Sequence, residues 1–132
     1  MQYRFEFDPV NKILLARCEG RLTDDTAAQL YRAIRAHSTA IDVSAGIWDM
    51  STVTEFALSA DFLRDLASQA PAMGHANSRP RILVASTTVG YGLARMFQIL
   101  GEPARPLLKV VHTLDEALAA LGVQSPHFEP LD

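Results

Sequence analysis

Gly46-Ile47-Trp48-Asp49-Met50-Ser51 decides the reading of this chain, because an apolar run that stops at an Asp-x-Ser corner is the pattern of a buried strand delivering polar groups to a sheet edge. Upstream, Tyr3, Phe5 and Phe7 alternate with Arg4, Glu6 and Asp8, the period of a strand with one wet face. Asp8-Pro9-Val10-Asn11-Lys12 supplies turn chemistry, and Ile13 to Cys18 is apolar on successive positions, as in a strand covered on both sides. Thr23 is an N-cap with Asp24 and Asp25 in the first turn. Ala27, Leu30, Tyr31 and Ile34 then form one helical stripe, so a crossover helix joins the hairpin to the Gly46–Ser51 strand.

Downstream of Ser51, Thr54 and Ser59 both suit the N-cap of a helix carrying Phe62, Leu63, Leu66 and Ala70. A start near Ser59, with an extra turn ahead, is the preferred reading. Pro71 to Pro80 is loop-like. Arg81-Ile82-Leu83-Val84-Ala85 is the clearest buried strand, followed by three hydroxyls, Ser86-Thr87-Thr88. The next helix places Val89, Leu93, Met96, Phe97 and Leu100 inward and ends at Gly101. Leu107 to Val111 is the last expected strand, and Thr113-Leu114-Asp115-Glu116 opens a helix closed by Gly122. The order β-β-α-β-α-β-α-β-α forces parallel crossovers after the hairpin. The expectation is an α/β fold: a mostly parallel, five-stranded mixed sheet with an antiparallel first strand and four main helices.

With 132 residues, the chain has the size of one domain with its own core, read as residues 1–123 followed by a C-terminal tail, 124–132. A formal charge of -3 gives no electrostatic footprint for nucleic acid or acidic lipid. The single cysteine, Cys18, cannot form an internal disulfide. The Met1-Gln2-Tyr3-Arg4 start lacks a signal-peptide pattern, and no apolar run approaches the ~18 residues of a membrane span. A cytoplasmic location follows as the expectation.

Asp49-Met50-Ser51-Thr52-Val53 after the third strand resembles the STAS domain of anti-sigma factor antagonists and sulfate transporters. Ile47-Trp48-Asp49-Met50-Ser51 and Tyr91-Gly92-Leu93-Ala94-Arg95-Met96-Phe97, followed by the Thr113-Leu114-Asp115-Glu116-Ala117-Leu118 helix, are similar to its SpoIIAA-like branch. The likeness runs over nearly the whole chain. It implies a regulatory module that acts through protein contacts. Antagonists of this kind carry a phosphorylatable serine directly after an Asp at the start of the helix that follows the third strand. Here that region reads Glu55-Phe56-Ala57-Leu58-Ser59-Ala60, with no Asp-Ser pair, so a phosphorylation switch is not expected.

Ligands and partners of parallel sheets gather at the carboxyl ends of the strands. The candidate binding residues are therefore Asp49, Ser51, Ser59, Thr88, Tyr91 and Arg95. Each has a structural reading beside the functional one. Asp49 suits a corner where its carboxylate accepts nearby backbone N–H groups, and Ser59 suits a helix cap. Gly90-Tyr91-Gly92 fits either a phosphate cradle or close packing of its helix on the sheet. Tyr91 and Arg95 share a helical face, and Arg95 either tethers the helix to Asp49 or a carbonyl, or faces a partner. The four histidines have no ligand-like spacing with one another or with Cys18, so no metal site is expected. No catalytic motif is recognised and no cofactor is expected. The runner-up to the protein-contact module is a lipid or small-molecule carrier, since the SpoIIAA-like branch is also similar to Sec14-type domains; its pocket would lie by Phe56, Phe62, Met96 and Phe97. An enzyme of unknown type is the third reading. An exposed sheet edge also favours a homodimer.

Overall fold

A computed structural model describes residues 2–75 and 78–131. Of the expected 71–80 loop, Ala76 and Asn77 lie outside the described residues, as do Met1 and Asp132 at the ends. The elements run β1 (Gln2–Asp8), β2 (Ile13–Thr23), α1 (Asp24–Ala40), β3 (Ala45–Ala57), α2 (Ala60–Ser68), β4 (Arg81–Val84), α3 (Thr88–Leu100), β5 (Leu108–Val111), α4 (Leu114–Ala120) and β6 (Glu129–Leu131). The sheet order is β5-β4-β3-β2-β1-β6. Pairing is parallel from β2 to β5 and antiparallel at β1–β2 and β1–β6.

Among the described residues the sheet therefore has six strands, one more than expected. The extra strand comes from the 124–132 stretch, read as a tail beyond the domain. Pro130 opposes Glu6, and Leu131 packs on the core. So short a strand has no periodicity to detect. It is also anchored from a distance: the buried Asp8 carboxylate accepts the backbone N–H of His127 at 3.2 Å while it organises the β1–β2 turn through Val10 and Asn11.

Strand parity divides the core. Leu14, Ala16, Trp48 and Leu83 face helices α1 and α3, whereas Ile13, Leu15, Ile47, Ile82 and Val84 face α4. Cys18 belongs to the first layer and is fully buried. Burial pushes its thiol up to about 12, with the Asp49 carboxylate adding to the effect, so it is a core residue, as its sequence setting indicates.

Two local readings change. The segment after Ser51 carries no extra helical turn; β3 continues to Ala57 alongside an extended β2, with Leu22 opposite Phe56 and an Arg21–Glu55 ion pair. Thr52-Val53-Thr54 explains this, since β-branched residues with only Val53 buried have the alternation of a half-covered strand. The inward face of α3 also differs. Gly90 and Ala94 are buried, and Val89 and Leu100 are 63% and 41% exposed. The helix turns its smallest residues to the sheet because they permit the closest approach: a Cβ at Gly90 would lie 2.6 Å from the Phe56 ring.

Candidate functional site

Between the Trp48 and Leu83 face of the sheet and helices α1 to α3 lies a cavity of about 120 Å³. Leu30 contributes from α1, Phe62 from α2 and Phe97 from α3, while Phe56 reaches in from the β3 extension. Phe56, Phe62 and Phe97 are three of the four residues expected around a carrier pocket. Met96, the fourth, is not among the lining residues.

Two arginines stand in this apolar wall. Arg105, 4% exposed, donates from Nη1 to the carbonyl of Ala67 at 2.8 Å and from Nη2 to those of Gln69 and Leu66 at 3.1 and 3.3 Å. Nη2 also lies 3.2 Å from the Tyr31 hydroxyl, and the guanidinium sits over the Phe97 ring, 4.8 Å from its centroid. It thus supplies donors to carbonyls at the end of α2, of which Leu66 also accepts the Gln69 N–H, and a cation there suits the helix dipole.

Arg81 is different. It opens β4 with the parity of Leu83, so it falls on the cavity face, and it is 3% exposed. Its Nη2 donates to the carbonyls of Met73 and Gly74. Among the described residues, its buried Nε and Nη1 have no acceptor. Burial first, and the charge of Arg105 second, lower the guanidinium to about 10. Among the described residues, no carboxylate forms an ion pair with either arginine. Leaving buried guanidinium N–H groups unpaired is costly, which makes Arg81 the anomaly of the core. Sequence reading missed both residues. The available signal was an arginine heading the most apolar strand of the chain.

The six residues singled out from sequence do not form one site. Asp49 is 5% exposed; its Oδ1 accepts the Ser51 N–H at 2.9 Å, and its Oδ2 lies 3.6 Å from Arg17 Nη1. The Ser51 carbonyl accepts the Ser86 hydroxyl at 3.3 Å. Ser59 caps α2 by accepting the Phe62 N–H at 3.1 Å. Tyr91 stacks on His112 with centroids 4.2 Å apart. Arg95 is exposed and donates to Gln98, with no link to Asp49. Thr88 is exposed in the first turn of α3. Gly90 donates to the Thr87 hydroxyl and packs against Phe56, which is the packing reading of that glycine pair. Gly92 has open space around it.

The strand order, the antiparallel first strand and the helix following β3 can be set beside known structures. No protein-family model and no curated protein matches this chain. Solved structures do. The unphosphorylated anti-sigma factor antagonist SpoIIAA superposes with a TM-score of 0.60 at 13% identity, over 94% of this chain and 100% of its own. The fold is SpoIIAA-like. The phosphorylated form of SpoIIAA, a Bacillus cell fate determinant, gives 0.56 at 17% identity, covering 91% of this chain and 99% of that one. An anti-sigma factor antagonist from Mycobacterium paratuberculosis gives 0.55 at 21%, covering 92% and 95%. The STAS resemblance read from Asp49 to Val53 is thus matched by the SpoIIAA-like backbone. Among the described residues, no helix is long and apolar enough to cross a membrane.

Proposed function

We propose that this chain is a non-catalytic, STAS-like regulatory module that works by binding another protein, without the Asp-Ser phosphorylation switch. The observation that carries the reading is the near-complete overlap with anti-sigma factor antagonist structures. The outer face of α3 supports it. Thr88, Gly92, Arg95 and Ile99 fall on one stripe with Val89 beside them, and Ile99 and Val89 are 60% and 63% exposed. An exposed isoleucine one turn from an arginine on the same helix face is the raw material of a contact surface. Ser59, already committed to a cap, has the lesser claim. A photo-crosslinking residue at position 99, introduced in the native host, is expected to trap a protein partner. That adduct should vanish in Ile99→Glu measured through a second crosslinker at position 92. Failure to trap any protein from either position would argue against the reading. Self-association at the β5 edge belongs to the same proposal; sedimentation showing only monomer at micromolar concentration would count against that part.

The cavity favours a second reading, a small-molecule-binding domain. At about 120 Å³ it is far below the ~300 to 1,000 Å³ of pockets that hold drug-sized ligands, so a compact molecule suits it better than a lipid.

A further inference from the structure

We propose that the cavity between the sheet and helices α1 to α3 binds a small monocarboxylate with a compact apolar body, its carboxylate held by Arg81. The inference rests on the small-molecule reading of the cavity and is independent of the contact surface on α3.

Three observations converge on it. The first is chemistry of opposite kinds in one space: walls of Trp48, Phe56, Leu83 and Phe97 surround a buried cation. An apolar body would gain dispersion contacts with these walls. A neutral hydrocarbon would accomplish that alone, and engineered apolar cavities of similar size take up benzene. The second is the orphaned donors. Among the described residues, Nε and Nη1 of Arg81 have no acceptor, and the carbonyls of Met73 and Gly74 hold only Nη2. Carboxylate oxygens are the strongest acceptors available for a guanidinium. The third is charge. Arg105 stands in the same wall with its donors directed to backbone carbonyls and a phenol, none of which carries a formal negative charge. Two buried guanidiniums therefore bring excess positive potential to the cavity, and one anion relieves both. The lowered value of Arg81 agrees with that crowding.

Size limits the ligand further. A volume of about 120 Å³ admits a ring or a short chain beside the carboxylate, whereas a long acyl chain exceeds it. A dianionic phosphate without an apolar body would leave the aromatic walls unfilled. The chemical class is that of benzoate and hexanoate.

The test uses the full chain and benzoate, hexanoate, dodecanoate and neutral toluene as probes. Arginine Nε–H resonances of the parent protein, assigned by comparison with Arg81→Lys, should show one side-chain signal, that of Arg81, shifting on addition of benzoate or hexanoate. Calorimetry should give binding at least tenfold tighter for benzoate than for toluene, and Arg81→Met should erase that preference while still taking toluene. Equal affinity for benzoate and toluene, with Arg81 unmoved, overturns the carboxylate inference and leaves the small-molecule reading intact. No binding of any probe removes both. Binding of dodecanoate in preference to hexanoate overturns the size argument and returns the cavity to a lipid. Arginine signals that all stay unmoved in the parent on addition of benzoate and hexanoate overturn the carboxylate inference, whichever variant fails to fold.

Discussion

The carboxylate of Asp24 at the start of α1 holds both the backbone N–H and the hydroxyl of Ser59 at the start of α2, at 3.0 and 2.9 Å. One acidic residue thus joins two helix N-termini, each of which favours negative charge. Ser59→Ala should lower stability by about 1 kcal/mol through the lost cap. Ser59→Glu should cost more, because it sets a second anion against Asp24, and Asp24→Asn should recover part of that extra loss. Urea unfolding of the four proteins measures it. Equal stability of Ser59→Glu and Ser59→Ala would show that the Asp24 contact carries no charge coupling.

Arg95 separates a surface role from a structural one. It is exposed and its hydrogen-bond partner is Gln98, whose own amide donates to the Leu108 carbonyl at 2.8 Å. Arg95→Met is therefore expected to change stability by no more than about 0.5 kcal/mol. A loss of several times that in thermal unfolding would mean that the arginine is a tether after all.

The fate of Arg95 illustrates what the sequence made legible. Hairpin, crossovers and caps follow from local signals, and Thr23, Ser59 and Gly122 all stand where their chemistry placed them. The orientation of α3 was not local. Hydrophobic counting selects Val89 and Leu100, whereas the inward face is chosen by the space that Gly90 leaves for Phe56, a residue on another element. Asp49 accepts the Ser51 N–H, a contact that its Asp-x-Ser corner makes legible. Arg81 and Arg105 escaped notice because what marks them is the absence of carboxylate partners, and that emerges only when β4, α2 and α3 are packed together.

Asp8 makes folding pH-dependent. Burial raises its pKa, but hydrogen bonds from the Asn11 side chain and from the backbone of Asn11, His127 and Val10 outweigh this and hold it below the ordinary 3.8. A carboxyl depressed in the folded state contributes stability that is full above its unfolded value and lost as pH falls through its folded one. Asp8→Asn should cost about 1 to 3 kcal/mol at neutral pH. The gap between parent and variant should narrow only below the ordinary carboxylate value. Melting temperatures of both proteins from about pH 7 to about pH 2 trace it; a gap that is constant across the range would assign the loss to packing.

Arg105 is expected to hold the end of α2 in place. Arg105→Met strips the guanidinium donors from the carbonyls of Leu66, Ala67 and Gln69 and removes the cation from the Phe97 ring. The loss should be about 2 to 4 kcal/mol. Amide exchange should quicken first in α2, whose last-turn carbonyls lose a donor, with the β2–β3 pair unaffected at early times. Uniform acceleration across the chain would place Arg105 in the global core.

The Gly90–Phe56 contact offers a change of sign. Alanine is favoured over glycine by about 1 kcal/mol inside a helix, yet a Cβ at position 90 would come within 2.6 Å of the Phe56 ring and 3.0 Å of the Thr87 hydroxyl. Phe56 is half-buried beside the cavity, so its ring has room to retreat, at the cost of filling that space. Gly90→Ala should therefore lower stability by about 1 to 2 kcal/mol in the parent. In a Phe56→Leu background the clash is relieved, and the same substitution should become neutral or stabilising by up to about 1 kcal/mol, as the helix preference then prevails. A double-mutant cycle by urea unfolding reads the coupling, and toluene binding reads the cavity, which Gly90→Ala should close in the parent. Additive effects of the two substitutions would mean that α3 itself, and not Phe56, gives way to the added methyl.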